Sequence, residues 1–156
     1  MLARWPFPDR WLVGLALPDK SSFSGTNEIS FFQSNTPTPD NEALKTMSSM
    51  YHGVIPALVT SNVALLKDAF EEIHLTGLKR RELLAQSPKT IRAMNELRKL
   101  PRVAVGLSSL GPLIYGIFDK NDDISQTQFE QTTNAIGANY LGSFSGHNSG
   151  FKVEAT

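Results

Sequence analysis

Residues 102–105 and 113–118 are two apolar runs joined by only seven residues, Gly106-Leu-Ser-Ser-Leu-Gly-Pro112. A link this short turns the chain back on itself, so the two runs pair as neighbouring antiparallel strands. A third apolar run, Trp11–Leu17, closes at Pro18-Asp19 and lies far upstream. It reads as a buried strand, because it is continuous and too short for a core helix.

Most of the sequence between these runs has helical periodicity. Residues 21–25 read as a small-residue loop, residues 28–33 as extended or a short helical turn, and residues 34–40, with Pro37 and Pro39, as a mobile connection. From Asn41 the pattern turns helical. Asp40 or Asn41 can cap a first helix carrying Leu44, Met47 and Met50 or Tyr51, which Gly53 and Pro56 break. Val59, Val63, Leu66, Phe70 and Ile73 recur at spacings of three and four and form the core stripe of a second helix, stopped by Gly77. Lys79-Arg80-Arg81 opens a short third helix. Ser87-Pro88 is an N-cap with a first-turn proline for a fourth, running to about Lys99 before Pro101.

After the paired strands, residues 119–123 read as a polar turn. Ser125 caps a last helix with Phe129, Thr133, Ile136 and Tyr140 on one face, and residues 151–154 read as a final edge strand. The order β, helices, β, β, α, β predicts an α+β fold, an antiparallel sheet covered on one side by helices.

The chain has 156 residues, enough for one domain with a real core. Fifteen basic residues balance fifteen acidic ones, so no net charge draws the chain to nucleic acid or to an anionic membrane. The absence of cysteine excludes disulfides, cysteine-ligated metal centres and thiol catalysis, and it fits a reducing compartment. Trp5, Pro6, Pro8, Asp9 and Arg10 interrupt the start before any signal-like apolar run, and no apolar stretch is long enough to span a bilayer. These features predict a cytoplasmic protein.

The loop at residues 106–112 is the segment richest in information. Its glycines let backbone approach a ligand, and its serines add hydroxyls beside main-chain N–H donors, the makings of an anion nest. The plain alternative is an ordinary hairpin connection. His52, His74 and His147 are far apart in sequence and have no metal-ligand spacing, so they read as structural; His74, at a helix end, suits the helix dipole as a cation. The basic residues 79–81, with Lys89, Arg92, Arg98, Lys99 and Arg102, read as a solvated face because acidic residues are interleaved; the alternative is proximity to an anionic substrate. Glu28, after Ser24-Gly25, is a candidate base or ligand contact. The aromatics Trp5, Phe7, Phe31 and Phe32 belong to the core or to a surface covered by a partner.

Residues 103–116 (VAVGLSSLGPLIYG) resemble the third motif of the GHMP superfamily, which includes galactokinase, homoserine kinase, mevalonate kinase and phosphomevalonate kinase. They are most similar to a non-kinase branch, the archaeal beta-ribofuranosylaminobenzene 5'-phosphate synthases. Residues 6–18 (PFPDRWLVGLALP) resemble the entry strand of that branch's C-terminal half. Ser24-Gly-Thr-Asn-Glu28 stands where the family carries Ser-Gly followed by acidic residues, and Ile55-Pro-Ala57 with Phe70 matches the helical stretch. The resemblance covers residues 6–140. This chain has Leu107 and Leu110 where the synthases carry Gln and Trp, and leucine replaces neither side chain's hydrogen bonds. Thr26 and Asn27 thin the acidic cluster to Glu28.

The resemblance implies a ferredoxin-like sandwich with extra helices, of the GHMP C-terminal-domain type, as half of a two-domain protein whose N-terminal phosphate-loop domain is absent here. It implies phosphoribosyl transfer from phosphoribosyl pyrophosphate to an aromatic acid with decarboxylation, in methanopterin-type cofactor biosynthesis. Gly106, Ser108, Ser109 and Gly111 would contact phosphate or substrate, joined by Ser24, Gly25 and Glu28. Mg2+ would accompany the pyrophosphate, with no permanently bound cofactor. Partners would be a phosphorylated small molecule and either an N-terminal GHMP domain or a second copy. The competing functions are a GHMP small-molecule kinase domain, and a stand-alone binding or dimerisation module.

Overall fold

The computed structural model of the chain describes residues 4–19 and 25–150. The upstream run forms β1 (Trp11–Leu17). Six helices follow: α1 (Thr26–Asn35), α2 (Asp40–Ser49), α3 (Ile55–Thr60), α4 (Val63–His74), α5 (Gly77–Leu84) and α6 (Pro88–Leu97). The hairpin strands are β2 (Ala104–Leu107) and β3 (Ile114–Asp119). α7 (Asp123–Ala135) and β4 (Asn139–Ser145) complete the described chain.

The strands form one sheet in the order β2-β3-β1-β4. Every neighbouring pair is antiparallel, with Gly14 opposite Gly116 at the centre of the β1–β3 pair. β1 and β2 therefore run parallel with β3 between them, and β3 and β4 run parallel with β1 between them. These two split crossovers make the ferredoxin-like sheet that the sequence predicts.

Helices cover both faces of this sheet, not one. On the first face, Ala16, Val105, Leu107, Ile114 and Phe118 pack with Ala93, Met94 and Leu97 of α6 and Phe129 of α7. On the second, Trp11, Ala104 and Ile117 pack with Ala57 of α3 and Leu66 of α4. The reason is visible in β2, whose four residues are all buried: strands wanted on both faces read as continuous apolar runs rather than alternating ones.

Gly53 and Pro56 do not break the first long helix. α2 continues through a π-helical turn, Met50–Val54, into α3, and the chain turns only at Ser61. Gly53 is there for packing: a Cβ at this position would stand 2.5 Å from the Ala69 Cβ of α4. Pro56 stands just past the π-helical turn, and the helix continues through it to Thr60. Val59 thus leaves the predicted core stripe and is 67% exposed, and α4 starts at an Asn62 cap whose side chain accepts the Leu65 N–H at 3.1 Å. α2 follows Pro39, with no side-chain cap from Asp40 or Asn41.

Two further expectations change downstream. Asp122, not Ser125, caps α7, accepting the Ser125 N–H at 3.1 Å and the Ser125 hydroxyl at 2.8 Å. Tyr140 lies on β4 rather than on the last helix, yet it meets Phe129 with ring centroids 6.3 Å apart. The helical spacing was met across two elements instead of along one. The strand expected at residues 151–154 lies outside the described residues, and so does Ser24. Residues 28–33, left between extended and a single turn, are part of the ten-residue helix α1. The Ser87 cap holds, its hydroxyl accepting the Thr90 N–H at 3.3 Å.

Candidate functional site

The β2–β3 connection is a tight turn whose peptide orientations are set from outside. The Gly111 N–H donates to the Ser108 carbonyl at 2.6 Å, and the Ser108 N–H to the Leu113 carbonyl at 2.9 Å. Ser109 occupies the left-handed region at φ 41° and Gly111 follows at φ 68°. Glycine adopts such a φ freely. Serine does so at a cost of order 1 kcal/mol, a strain that tends to collect where backbone is held for function.

One face of α5 holds this backbone. Lys79 Nζ donates to the carbonyls of Leu107 at 3.4 Å and Ser109 at 3.2 Å, and it pairs with the Glu82 carboxylate. Gln86 Nε2 donates to the Leu110 carbonyl and to the Glu82 carbonyl, both at 2.9 Å. Lys79 and Glu82 are neighbours at i, i+3 on α5 and Gln86 stands just past its end, so Lys79 and Gln86 reach the loop while Glu82 holds Lys79. Lys79 is therefore not part of a solvated basic face. Arg81 is not either: it pairs with Glu42 of α2 at 2.7 Å.

In a trans peptide, C=O and N–H point in opposite directions. With the Ser109 carbonyl turned toward Lys79, the Leu110 N–H points away from α5. With the Ser108 carbonyl inside the turn, the Ser109 N–H points outward. Neither N–H has a hydrogen-bond partner among the described residues. Two successive N–H groups without a protein partner thus lie beside the hydroxyls of Ser108 and Ser109, the kind of donor set from which anion nests are built.

The structure brings Ser108, Ser109 and Gly111 together in this turn and sets the other predicted residues elsewhere. Gly106 is buried within β2, where a Cβ would collide with the Tyr115 ring. Its position lets Tyr115 lie across the strand, in edge contact with Phe70 at 6.0 Å. Gly25 precedes α1 and Glu28 stands in its first turn, and no α1 side chain is buried. No hydrogen bond or ion pair joins α1 to the loop among the described residues.

His74 was read as a cation at a helix end. It is instead 4% exposed, and burial, helped by Arg98 and Lys79, lowers its pKa from 6.5 to about 4. It is neutral at pH 7, and its Nδ1 is buried without a partner. Burial also raises the Tyr115 pKa. At the opposite end of the sheet, Arg10 Nε donates to Asp119 at 2.7 Å and Arg102 pairs with Asp122 at 3.3 Å. The Asn121 N–H lowers the Asp119 pKa and the Ser125 hydroxyl that of Asp122. A cavity of about 370 Å³ opens there between Asn62, Arg102 and the two aspartates. Glu82 and Gln86 are not among the expected site residues, and Lys79 enters the sequence reading only in the basic run whose alternative is proximity to an anionic substrate. The i, i+3, i+7 spacing of these polar side chains does not say what they meet.

Three curated relatives share this sequence pattern, all named beta-ribofuranosylphenol 5'-phosphate synthase. That of Methanothermobacter thermautotrophicus is 28% identical over 121 residues, 77% of this chain and 37% of its own length. That of Archaeoglobus fulgidus is 32% identical over 121 residues, 78% of this chain and 37% of its own. That of Methanocaldococcus jannaschii is 33% identical over 110 residues, 70% of this chain and 33% of its own. The chain thus spans little more than a third of the length of the relatives it matches. No protein-family profile matches it. Among solved structures, homoserine kinase from Cytophaga hutchinsonii superposes with a TM-score of 0.66 at 11% identity, over 94% of this chain and 44% of that one. Streptococcus pneumoniae phosphomevalonate kinase superposes with a TM-score of 0.63 at 10% identity, over 86% of this chain and 40% of that one. The fold is that of these GHMP kinases, and the curated homologues are the synthases.

Proposed function

We propose, from homology to about a third of a family of ribofuranosylphenol 5'-phosphate synthases, that this chain is the C-terminal-type domain of a synthase-like protein and that its β2–β3 loop receives a phosphate of the substrate. The observation that carries the reading is the pair of N–H groups at Ser109 and Leu110 that have no partner among the described residues, while Lys79 and Gln86 hold the carbonyls of the same two residues and Ser109 has a positive φ.

The reaction in this reading is phosphoribosyl transfer from phosphoribosyl pyrophosphate to an aromatic acid. The bond from the anomeric carbon to the pyrophosphate oxygen breaks, carbon dioxide leaves the acceptor, and a ribofuranosyl 5'-phosphate product forms. The loop's part is electrostatic: fixed N–H and hydroxyl donors stabilise the growing negative charge on the phosphate oxygens. Ser108, Ser109 and Gly111 lie in that turn, and Gly106 keeps β2 flat beneath Tyr115. Glu28, with Gly25, belongs to this reading only if a further domain brings α1 toward the loop. In this reading Mg2+ enters chelated by the pyrophosphate, as part of the substrate. Catalysis requires the phosphate-loop domain of a two-domain protein, supplied as a separate chain or segment. No described helix is long and apolar enough to cross a membrane.

A second reading, a dimerisation or ligand-binding module, is supported by Leu44, Met47, Met50 and Tyr51, all exposed along the long helix. Calorimetric titration of the 156-residue chain separates the readings. Binding of phosphoribosyl pyrophosphate without binding of ATP supports the synthase domain. Binding of ATP supports a GHMP kinase domain. Self-association with neither ligand bound supports the module.

A further inference from the structure

The three protons of Lys79 Nζ face three acceptors: the Leu107 carbonyl, the Ser109 carbonyl and the Glu82 carboxylate. The Glu82 side chain is 7% exposed and that of Lys79 is 26% exposed. The ammonium is thus spent on orienting the loop, and a buried carboxylate cancels its charge. Resting on the anion-loop reading, we infer that the Lys79–Glu82 pair sets the loop's anion affinity: Lys79 positions the unpartnered Leu110 N–H through the Ser109 carbonyl, and Glu82 holds that affinity down by neutralising Lys79.

The two roles have opposite consequences. Without Lys79, the Ser109 carbonyl loses the donor that turns it inward, and the Leu110 N–H loses its direction. Glu82→Gln keeps the shape and an acceptor for Lys79 but leaves the ammonium uncompensated, with one peptide unit between it and the bound anion. The ammonium's through-space attraction for the anion, acting at short range near the solvent, raises affinity about fivefold. A residue serving stability alone would not tighten a ligand when its ion pair is weakened.

The test is an NMR titration of the 15N-labelled 156-residue chain with inorganic pyrophosphate, following the Ser109 and Leu110 amides. Melting curves show that each variant is folded. The inference expects both amides to shift in the wild type, Lys79→Met to bind at least fivefold more weakly, and Glu82→Gln to bind about fivefold more tightly. Wild-type binding with Glu82→Gln unchanged or weaker overturns it, and so does wild-type binding with Lys79→Met unchanged. If the wild-type amides do not move, the anion-loop reading itself fails and the inference falls with it.

Discussion

Acidification should unfold this protein early, and one side chain should account for most of the effect between pH 7 and pH 5. His74 is buried at the end of α4, and its folded pKa of about 4 lies below the ordinary 6.5. The unfolded chain therefore takes up a proton at a pH where the folded chain does not. The stabilisation is fully present above pH 6.5 and is lost as the pH falls toward 4. A displacement of about 2.5 units corresponds to roughly 3 kcal/mol over the whole window, and about 2 kcal/mol of that is lost between pH 7 and pH 5. Asp119 and Asp122 do not compete in this window. Their pKa values are lowered, so their contribution holds above the ordinary carboxylate value and is lost only in stronger acid. Urea unfolding at pH 7, 6 and 5 gives the slope for the wild type and for His74→Gln. The variant is expected to start less stable and to lose about 2 kcal/mol less over the same range. Equal slopes in the two proteins would refute the argument and place the acid sensitivity elsewhere.

Other outcomes follow from packing and from the loop supports. Gly116→Ala puts a Cβ 2.7 Å from Phe129 Cδ2 and 2.8 Å from Val103 Cγ1, so it should cost about 1–3 kcal/mol by chemical denaturation, as overpacking does. Asp122→Ala removes the cap of α7 and the pair with Arg102, and thermal melting should register a loss of about 1–2 kcal/mol. Gln86→Leu leaves the Leu110 carbonyl without its donor, at a cost of about 1–3 kcal/mol, and should speed amide exchange in the loop more than in β1.

The topology was legible because the seven-residue link and the isolated run at Trp11–Leu17 leave few ways to order a sheet. Sites where tertiary contact decides were not legible. Gly53 looks like a breaker in a linear reading and is a helix contact in three dimensions, because only Ala69 explains it. β4 was hidden by small residues, and the step from Leu15–Gly142 to Ala16–Tyr140 pairing interrupts its alternation. Ser108, Ser109 and Gly111 announced themselves as a loop able to meet an anion. Lys79 and Gln86 did not, because the side chains that orient that loop come from a helix more than twenty residues upstream and touch it through carbonyls, which carry no sequence signature.

The central claim is that the β2–β3 loop receives phosphate, and a crystal structure of the chain grown with pyrophosphate tests it most directly. The account predicts phosphate oxygens within about 3 Å of the Ser109 and Leu110 nitrogens, with the Ser109 carbonyl still turned to Lys79. Pyrophosphate seated instead beside Arg10 and Arg102 at the far end of the sheet, with the loop empty, would contradict it.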